Sequence, residues 1–290
     1  MSGPIILCAD DFALTSGVSR AICDLAAHGR ISAASVLITQ PAAGREAAAI
    51  GGLSGPLAMG LHLNLTLGRP LSAMPTFAPG GTFPTAATLT AASLRGRLPL
   101  AELSGEIARQ LRQFEDVFGM GPDFVDGHQH VHALPGVRSA LFAALRQRTP
   151  SGAILLRDPA DTPWRIARRG LAVGKALAIS GLARGFGCEA RAQGFLTNDG
   201  FSGVTNFSAS ARAVRDDFRK AQRRPGVCHL VMCHPGFADA DLAAMDSVTT
   251  RREIEYQVLR RDDVFEQGIW HPVRSADGHI VWPGQGGHPS

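Results

Sequence analysis

Pro4-Ile5-Ile6-Leu7-Cys8-Ala9-Asp10-Asp11-Phe12 sets a short apolar run directly against two adjacent carboxylates. A run of this length and composition reads as a buried strand. Two carboxylates side by side at its mouth repel each other and lose hydration, a cost that is met when a cation or proton lies between them. Asp10 and Asp11 are therefore a candidate metal site. The competing reading is a solvated turn, with Ser16 capping a helix that starts at Gly17.

Outward from this run, Val18, Ile22, Leu25 and Ala26 recur at helical spacing before Gly29, which predicts a helix over 17–28. A β-rich run over 31–39 and an Ala-rich helical stretch over 43–50 follow, so the chain opens βαβα. From 57 to 66, Leu61, Leu63 and Leu65 alternate with His62, Asn64 and Thr66, the period of a strand with its polar groups on one face. Residues 67–98 are rich in Gly, Pro and Thr, and a loop of that length inside a compact domain reads as a lid or a functional loop. Leu100, Leu103, Ile107, Leu111, Phe114 and Phe118 then mark a long amphipathic helix closed by Gly119. Strands are expected at 124–130, 153–157 and 227–232, with helices from Val137 and over 249–260. Strands alternating with helices throughout imply a single α/β domain spanning 1–290, built on a parallel sheet or (β/α) barrel. Chemistry in that architecture gathers at the carboxyl ends of the strands.

With 290 residues, 45% of them hydrophobic and 19% charged, the chain can bury a full core. Five cysteines without CxxC spacing argue against a disulfide framework and a thiolate zinc knuckle. The net charge of +4 comes with no nucleic-acid-binding signature. No apolar stretch approaches the ~18 residues of a membrane span, and no leader-like segment precedes the first strand, so a cytoplasmic location is expected. Within an insertion over about 160–195, the stretch from Trp164 to Cys188 carries Arg165, Arg168, Arg169, Lys175 and Arg184 among apolar residues. It reads as one or two basic amphipathic helices, either a solvated face or a dock for an anionic or lipid-linked partner, with peripheral contact to a membrane surface.

Four pieces distant in sequence place polar groups at predicted strand ends: Asp10-Asp11, Gly60-Leu61-His62-Leu63-Asn64, Asp126-Gly127-His128-Gln129-His130-Val131-His132, and Cys233-His234-Pro235-Gly236. If the third strand persists, Asp126, His128, His130 and His132 share one face at ~6.6 Å intervals, so that one or two ligate an ion while the others orient their neighbours. One Asp with two His suits Zn²⁺, Mn²⁺, Fe²⁺, Co²⁺ or Mg²⁺ and leaves positions open for water and substrate. A Cys233 nucleophile beside His234 is disfavoured, because adjacent strand residues point to opposite faces.

These four motifs, in this order and spacing from about residue 4 to 260, resemble those of the YdjC family of carbohydrate deacetylases. The resemblance implies a distorted (β/α) barrel similar to polysaccharide deacetylases and removal of acetyl groups from N-acetylated amino sugars. It implies Asp11, His62 and His128 as ligands of a divalent ion, Mg²⁺ or Zn²⁺, with Asp10 as general base and His234 as acid. His130, His132 and Asn64 are expected to face substrate or support the ligands, and Arg157 to orient Asp10 or hold a sugar hydroxyl, against the alternative of a surface salt bridge. Similar proteins are often homodimers. The family commonly has Gly where this chain has Ala13; if the position needs a positive φ, Ala costs about 1 kcal/mol there. Short chitin oligosaccharides are one expected substrate class. A branch associated with hopanoid synthesis suggests lipid-linked N-acetylglucosamine as another. The rival readings are a sugar- or metal-binding protein that retains the pocket without turnover, and a 2-His-1-carboxylate iron oxygenase, whose double-stranded β-helix the βαβα order contradicts.

Overall fold

The computed structural model describes residues 3–52, 57–148, 154–246 and 248–284. The chain runs β1 (Ile6–Phe12), α1 (Ser16–Ala27), β2 (Ala33–Val36), α2 (Ala43–Gly51), β3 (Ala58–Leu63), α3 (Ala86–Leu94), α4 (Leu100–Phe118) and β4 (Phe124–Gly127). A 3₁₀ turn over His128–Ala133 leads to α5 (Val137–Arg146), β5 (Leu155–Leu156), α6 (Pro163–Arg169), α7 (Val173–Leu182), α8 (Phe186–Ala192), β6 (Leu196–Thr197) and β7 (Gly200–Ser202). The remainder is α9 (Ala211–Ala221), β8 (His229–Cys233), α10 (Ala240–Met245) and α11 (Thr249–Arg261).

All eight strands pair in parallel, in the order β6-β5-β4-β3-β2-β1-β8-β7. The two edge strands, β6 and β7, are separated in sequence by Asn198 and Asp199 alone. A link of about 10 Å at full stretch cannot cross an open eight-stranded sheet, so the sheet curls until its edges meet. Asn198 stitches the seam, accepting from Asp158 N and donating to the Asp158 and Gly200 carbonyls. Asp199 ties it to the start of β8 through Val227 N and Cys228 N. The predicted α/β barrel of a single domain is what forms.

Strand periodicity divides the core in two. Leu7, Ala9, Ala34, Leu61, Val125 and Val231 face the surrounding helices. Ile6, Cys8, Ala33, Ala58, Phe124, Leu155, Leu230 and Met232 fill the barrel, where Ile280 and Trp282 pack beneath them. Gly60 is fixed by this interior: a Cβ there would lie 2.4 Å from the Phe124 ring on the paired strand.

Several local expectations shift. Thr15, not Ser16, caps α1, its hydroxyl accepting from Val18 N. The 67–98 loop holds a helix of its own, α3, capped by Thr85. Of the expected 153–157 strand, Ala153 lies outside the described residues and only Leu155–Leu156 pair. The basic stretch is three short helices rather than one amphipathic face: Arg169 is buried against Asp161 at 2.6 Å, and α7, the most apolar of the three, has no fully buried residue.

Candidate active site

The polar residues of the site are the next interior layer above the apolar one. Two residues beyond Cys8, Ala33, Gly60, Phe124 and Leu155 stand Asp10, Ser35, His62, Asp126 and Arg157, and registration across the sheet pairs His62 with Asp126 directly. Asp11 should point outward. Instead the strand breaks register between Ala9 and Phe12, and Asp11 adopts a left-handed backbone with φ 70°. This bulge turns the second carboxylate to the same end as the first. A non-glycine residue held in this region costs on the order of 1 kcal/mol, strain of the kind that collects at functional sites. Ala13 follows with φ 71°, so the position does require the backbone that glycine adopts most readily.

Asp11 Oδ1 lies 3.3 Å from His62 Nε2 and 3.0 Å from His128 Nδ1, and the three donor atoms fall within 4.8 Å of one another. Donors about 2.1 Å from one ion sit roughly 3.0–3.4 Å apart, so the spacing fits a shared divalent cation. The surroundings fit it too. Asp126 Oδ1 accepts from His62 Nδ1 at 2.7 Å, leaving Nε2 to face Asp11, the arrangement by which a carboxylate fixes a ligating imidazole. Burial works against charge on His62, but the Asp126 charge and the hydrogen bonds to Asp11 and Asp126 outweigh it and raise the ring to about 10. The carboxylates thus favour a positive charge at this point. Burial likewise works against ionised Asp11, and Arg252 and His128 overcome it, holding the carboxyl well below its usual range.

The second acidic group, Cys8, Asp10 and Asp126, already holds a cation of its own. Arg157 is fully buried and grips both oxygens of Asp10, at 2.6 and 2.7 Å, while its Nη2 approaches Asp126 at 2.5 Å and Cys8 Sγ at 3.0 Å. Burial works against an ionised Asp10, and Arg157 outweighs it, holding the carboxyl well below its usual range. Arg157 is buried and paired with Asp10 and Asp126, so it does not form the surface salt bridge considered for it.

His128 and His130 do not share a strand face. The strand ends at Gly127, and Gln129 and His130 adopt left-handed backbones with φ of 54° and 61°. Gly127 permits the turn to fold back, since a Cβ there would lie 2.8 Å from His132 Nδ1. His132 is consequently buried away from the Asp11, His62 and His128 donor atoms, its Nε2 2.7 Å from the Arg157 carbonyl, and burial lowers it to about 4. His130 stays on the cleft with its ring edge-on to Phe201, and burial, followed by the charge of Arg157, holds it well below the usual range. Asn64 is buried and does not line the cleft. Its amide donates to Thr39 Oγ1 and the Leu67 carbonyl and accepts from Thr66 N and Leu67 N, closing the turn after β3.

His234 lines the cleft beyond β8, near Phe207, with its backbone N–H donating to Glu255 Oε2 at 2.7 Å. Burial lowers its ring below the usual value, partly opposed by Asp10 and Asp11. The residues that the sequence reading did not single out come chiefly from α11: Glu255, which anchors His234, and Arg252, whose Nη2 binds Asp11 Oδ2 at 2.6 Å and Asp246 at 2.8 Å. Ser35, beneath His62, completes that set. Asp126, which the sequence placed in the third motif as a ligand or an orienting group, is the one that orients His62; no local pattern marks Arg252.

The cleft above these groups has a volume of about 560 Å³. Its floor is Asp10, Asp11, His62, His128 and His234, and its walls include Leu67, Ile179, Leu182, Phe207 and Met232. That volume falls within the range of small-molecule sites.

An α/β barrel with a buried acidic and imidazole cluster at the carboxyl ends of its strands is an enzyme-like architecture. The profile of the YdjC-like protein family matches residues 4–267, and the chain belongs to this family. A chitooligosaccharide deacetylase of Klebsiella pneumoniae (strain 342) is 35% identical over 148 residues, 51% of this chain and 58% of that protein. A carbohydrate deacetylase of Mus musculus is 30% identical over 255 residues, 80% of this chain and 78% of its own. The chain thus spans little more than half the length of the bacterial relatives it matches. A solved structure described as a cellobiose-phosphate cleavage protein of Enterococcus faecalis V583 shares the fold, with a TM-score of 0.66, 21% identity and coverage of 91% of this chain and 93% of the other.

Proposed function

We propose that this protein is a metal-dependent hydrolase that removes the acetyl group from an N-acetylated amino sugar, free as an oligosaccharide or linked to a lipid. The observation that carries the reading is the convergence of Asp11, His62 and His128 at the floor of a cleft that Asp10 and His234 also line. Relatives named for deacetylation of chitooligosaccharides and carbohydrates support the substrate class.

Asp11, His62 and His128 would hold a divalent cation, Mg²⁺ or Zn²⁺, which when bound acidifies its water toward a pKa of about 7 and offsets negative charge on the carbonyl oxygen. Asp10, kept ionised by Arg157, takes the proton of the attacking water at a carboxylate oxygen. Asp126 keeps the His62 ring oriented throughout. An amide nitrogen leaves only once protonated, and His234 supplies that proton from its imidazole. The two adjacent carboxylates thus have separate tasks because their surroundings differ: Asp11 faces two imidazoles, Asp10 a guanidinium. The apolar wall from α7 and Phe207 would accept the uncharged body of the substrate. A homodimer is the assembly proposed for this activity, on the resemblance.

The test is acetate release from N-acetylglucosamine oligomers and from glycolipids bearing the same sugar. Asp10→Asn and His234→Ala are expected to lose turnover while still binding metal. Full activity in both variants overturns the assignment of base and acid, and sugar binding without any release by the native protein favours a binding function instead.

A further inference from the structure

A second pocket, of about 430 Å³, lies away from the catalytic cleft and is lined by Arg168, Arg219, Arg223, Arg224, Gln222 and Glu266, with Gln267 beside them. Arg219 lies in the last turn of α9, Gln222 to Arg224 follow it before β8, and Gln267 precedes Ile269, which bridges Ile5 at the head of β1. The pocket is therefore at the amino-terminal ends of the strands, opposite the cleft. Four guanidinium groups share it with a single carboxylate. Among the described residues, Arg168, Arg223 and Arg224 have no ion-pair partner, and Arg219 meets only Asp216, at 3.9 Å.

Like charges gathered without counterions repel, yet the chain builds this cluster rigidly. Arg169, buried and paired with Asp161, donates to the carbonyls of Phe201, Arg223 and Arg224 and so fixes the turn that carries two of the arginines. Arg224 is held there in a left-handed backbone with φ 54°. Trp164 lies against both Arg168 and Arg224, with their guanidinium carbons 5.6 and 5.5 Å from its ring centre, which restrains both side chains. Gln222 is anchored by donating to Phe218 and Val264 carbonyls and accepting from Glu266 N. Strain and repulsion maintained together at one concave place point to a ligand that offsets them.

We propose that this pocket binds a phosphate-bearing anion. A guanidinium fork matches a phosphate edge, and a terminal phosphate offers three oxygens to several forks at once, whereas a carboxylate offers two. The volume exceeds that of one phosphate and leaves room for a second phosphate or an ester. Such a group could come from a soluble phosphate ester or from the headgroup of an anionic lipid.

The experiment titrates inorganic pyrophosphate into the full-length protein by calorimetry, and separately floats the protein with vesicles containing phosphatidylglycerol. Pyrophosphate is expected to bind, to weaken with added salt, and to weaken at least about tenfold in the double variant Arg168→Gln, Arg223→Gln, each arginine being exposed and outside any ion pair. Arg184→Gln, outside the pocket, is the control and is expected to bind as the native protein does. Flotation that pyrophosphate competes away assigns the lipid source, and binding without flotation assigns the soluble one. No pyrophosphate binding, or equal affinity in the double variant, overturns the proposal. Acetate release is not the readout, so this inference stands or falls independently of the catalytic assignment.

Discussion

Replacing Asp126 with Asn isolates the carboxylate contact that orients His62 toward Asp11. The substitution preserves volume at a fully buried position and leaves Asp10, Asp11 and His62 in place. What it removes is the 2.7 Å acceptor for His62 Nδ1 and one of the two carboxylates facing Arg157. The buried carboxylates Asp10, Asp11 and Asp126 exceed the guanidinium groups Arg157 and Arg252 by one charge, and the variant cancels that excess. Loss of a carboxylate behind a ligating histidine costs about 10- to 100-fold in metal affinity. That corresponds to roughly 1.4–2.7 kcal/mol. Arg157 keeps Asp10, so the destabilisation should stay below the 3–5 kcal/mol or so of a fully broken buried pair. Zinc affinity measured by competition with a chromogenic chelator, alongside urea unfolding of both proteins, reads the two effects separately. Unchanged affinity in a folded variant would refute the orientation of His62 by Asp126.

Gly60→Ala is expected to destabilise by about 1–3 kcal/mol, because the new methyl meets the Phe124 ring at 2.4 Å inside a filled barrel; a urea midpoint equal to the native one counts against that packing. Acid should weaken the fold through His229, whose ring sits between Ser202 Oγ and the Ala221 carbonyl and which burial, then the charge of Arg169, lowers to about 3. The folded state keeps this ring neutral while the unfolded chain takes up a proton below pH 6.5, so the stability is intact above that value and is lost as pH falls toward 3. Between about pH 6 and 4 the loss is on the order of 1.4 kcal/mol per pH unit, and His229→Gln should shallow the pH dependence of unfolding by that amount; an unaltered slope would show that the ring titrates normally.

The succession of parallel strands and helices was legible in the sequence because the strands are short apolar runs set between stretches of helical period. That they close into a barrel was an expectation from the resemblance, since the two-residue link between β6 and β7 that forces closure leaves no periodic signal. The alternation over 57–66 put His62 on a polar face, and in the structure that face is the interior it shares with Asp126. Legibility failed where the backbone leaves the strand. Asp11 reaches the site through a bulge and His128 through a turn after Gly127, and both depend on left-handed residues that are not glycine, which no period-two pattern encodes. The alternating His128, His130 and His132 imitated a strand, and the structure sends them to three different places. Arg252 was beyond reach for another reason. It lies 241 residues from Asp11 on a helix whose buried arginines interrupt the apolar stripe that periodicity detects. Asn64, polar and close to His62, was drawn into the site by proximity in sequence, and the turn it closes uses its entire amide.

The most direct test of the central claim is acetate released from an N-acetylglucosamine oligomer or glycolipid by chelator-treated protein before and after a divalent cation is restored. The account predicts no release from the stripped protein, release once the cation returns, and none from Asp11→Asn under either condition. Undiminished release by the stripped protein, or by Asp11→Asn, would contradict it.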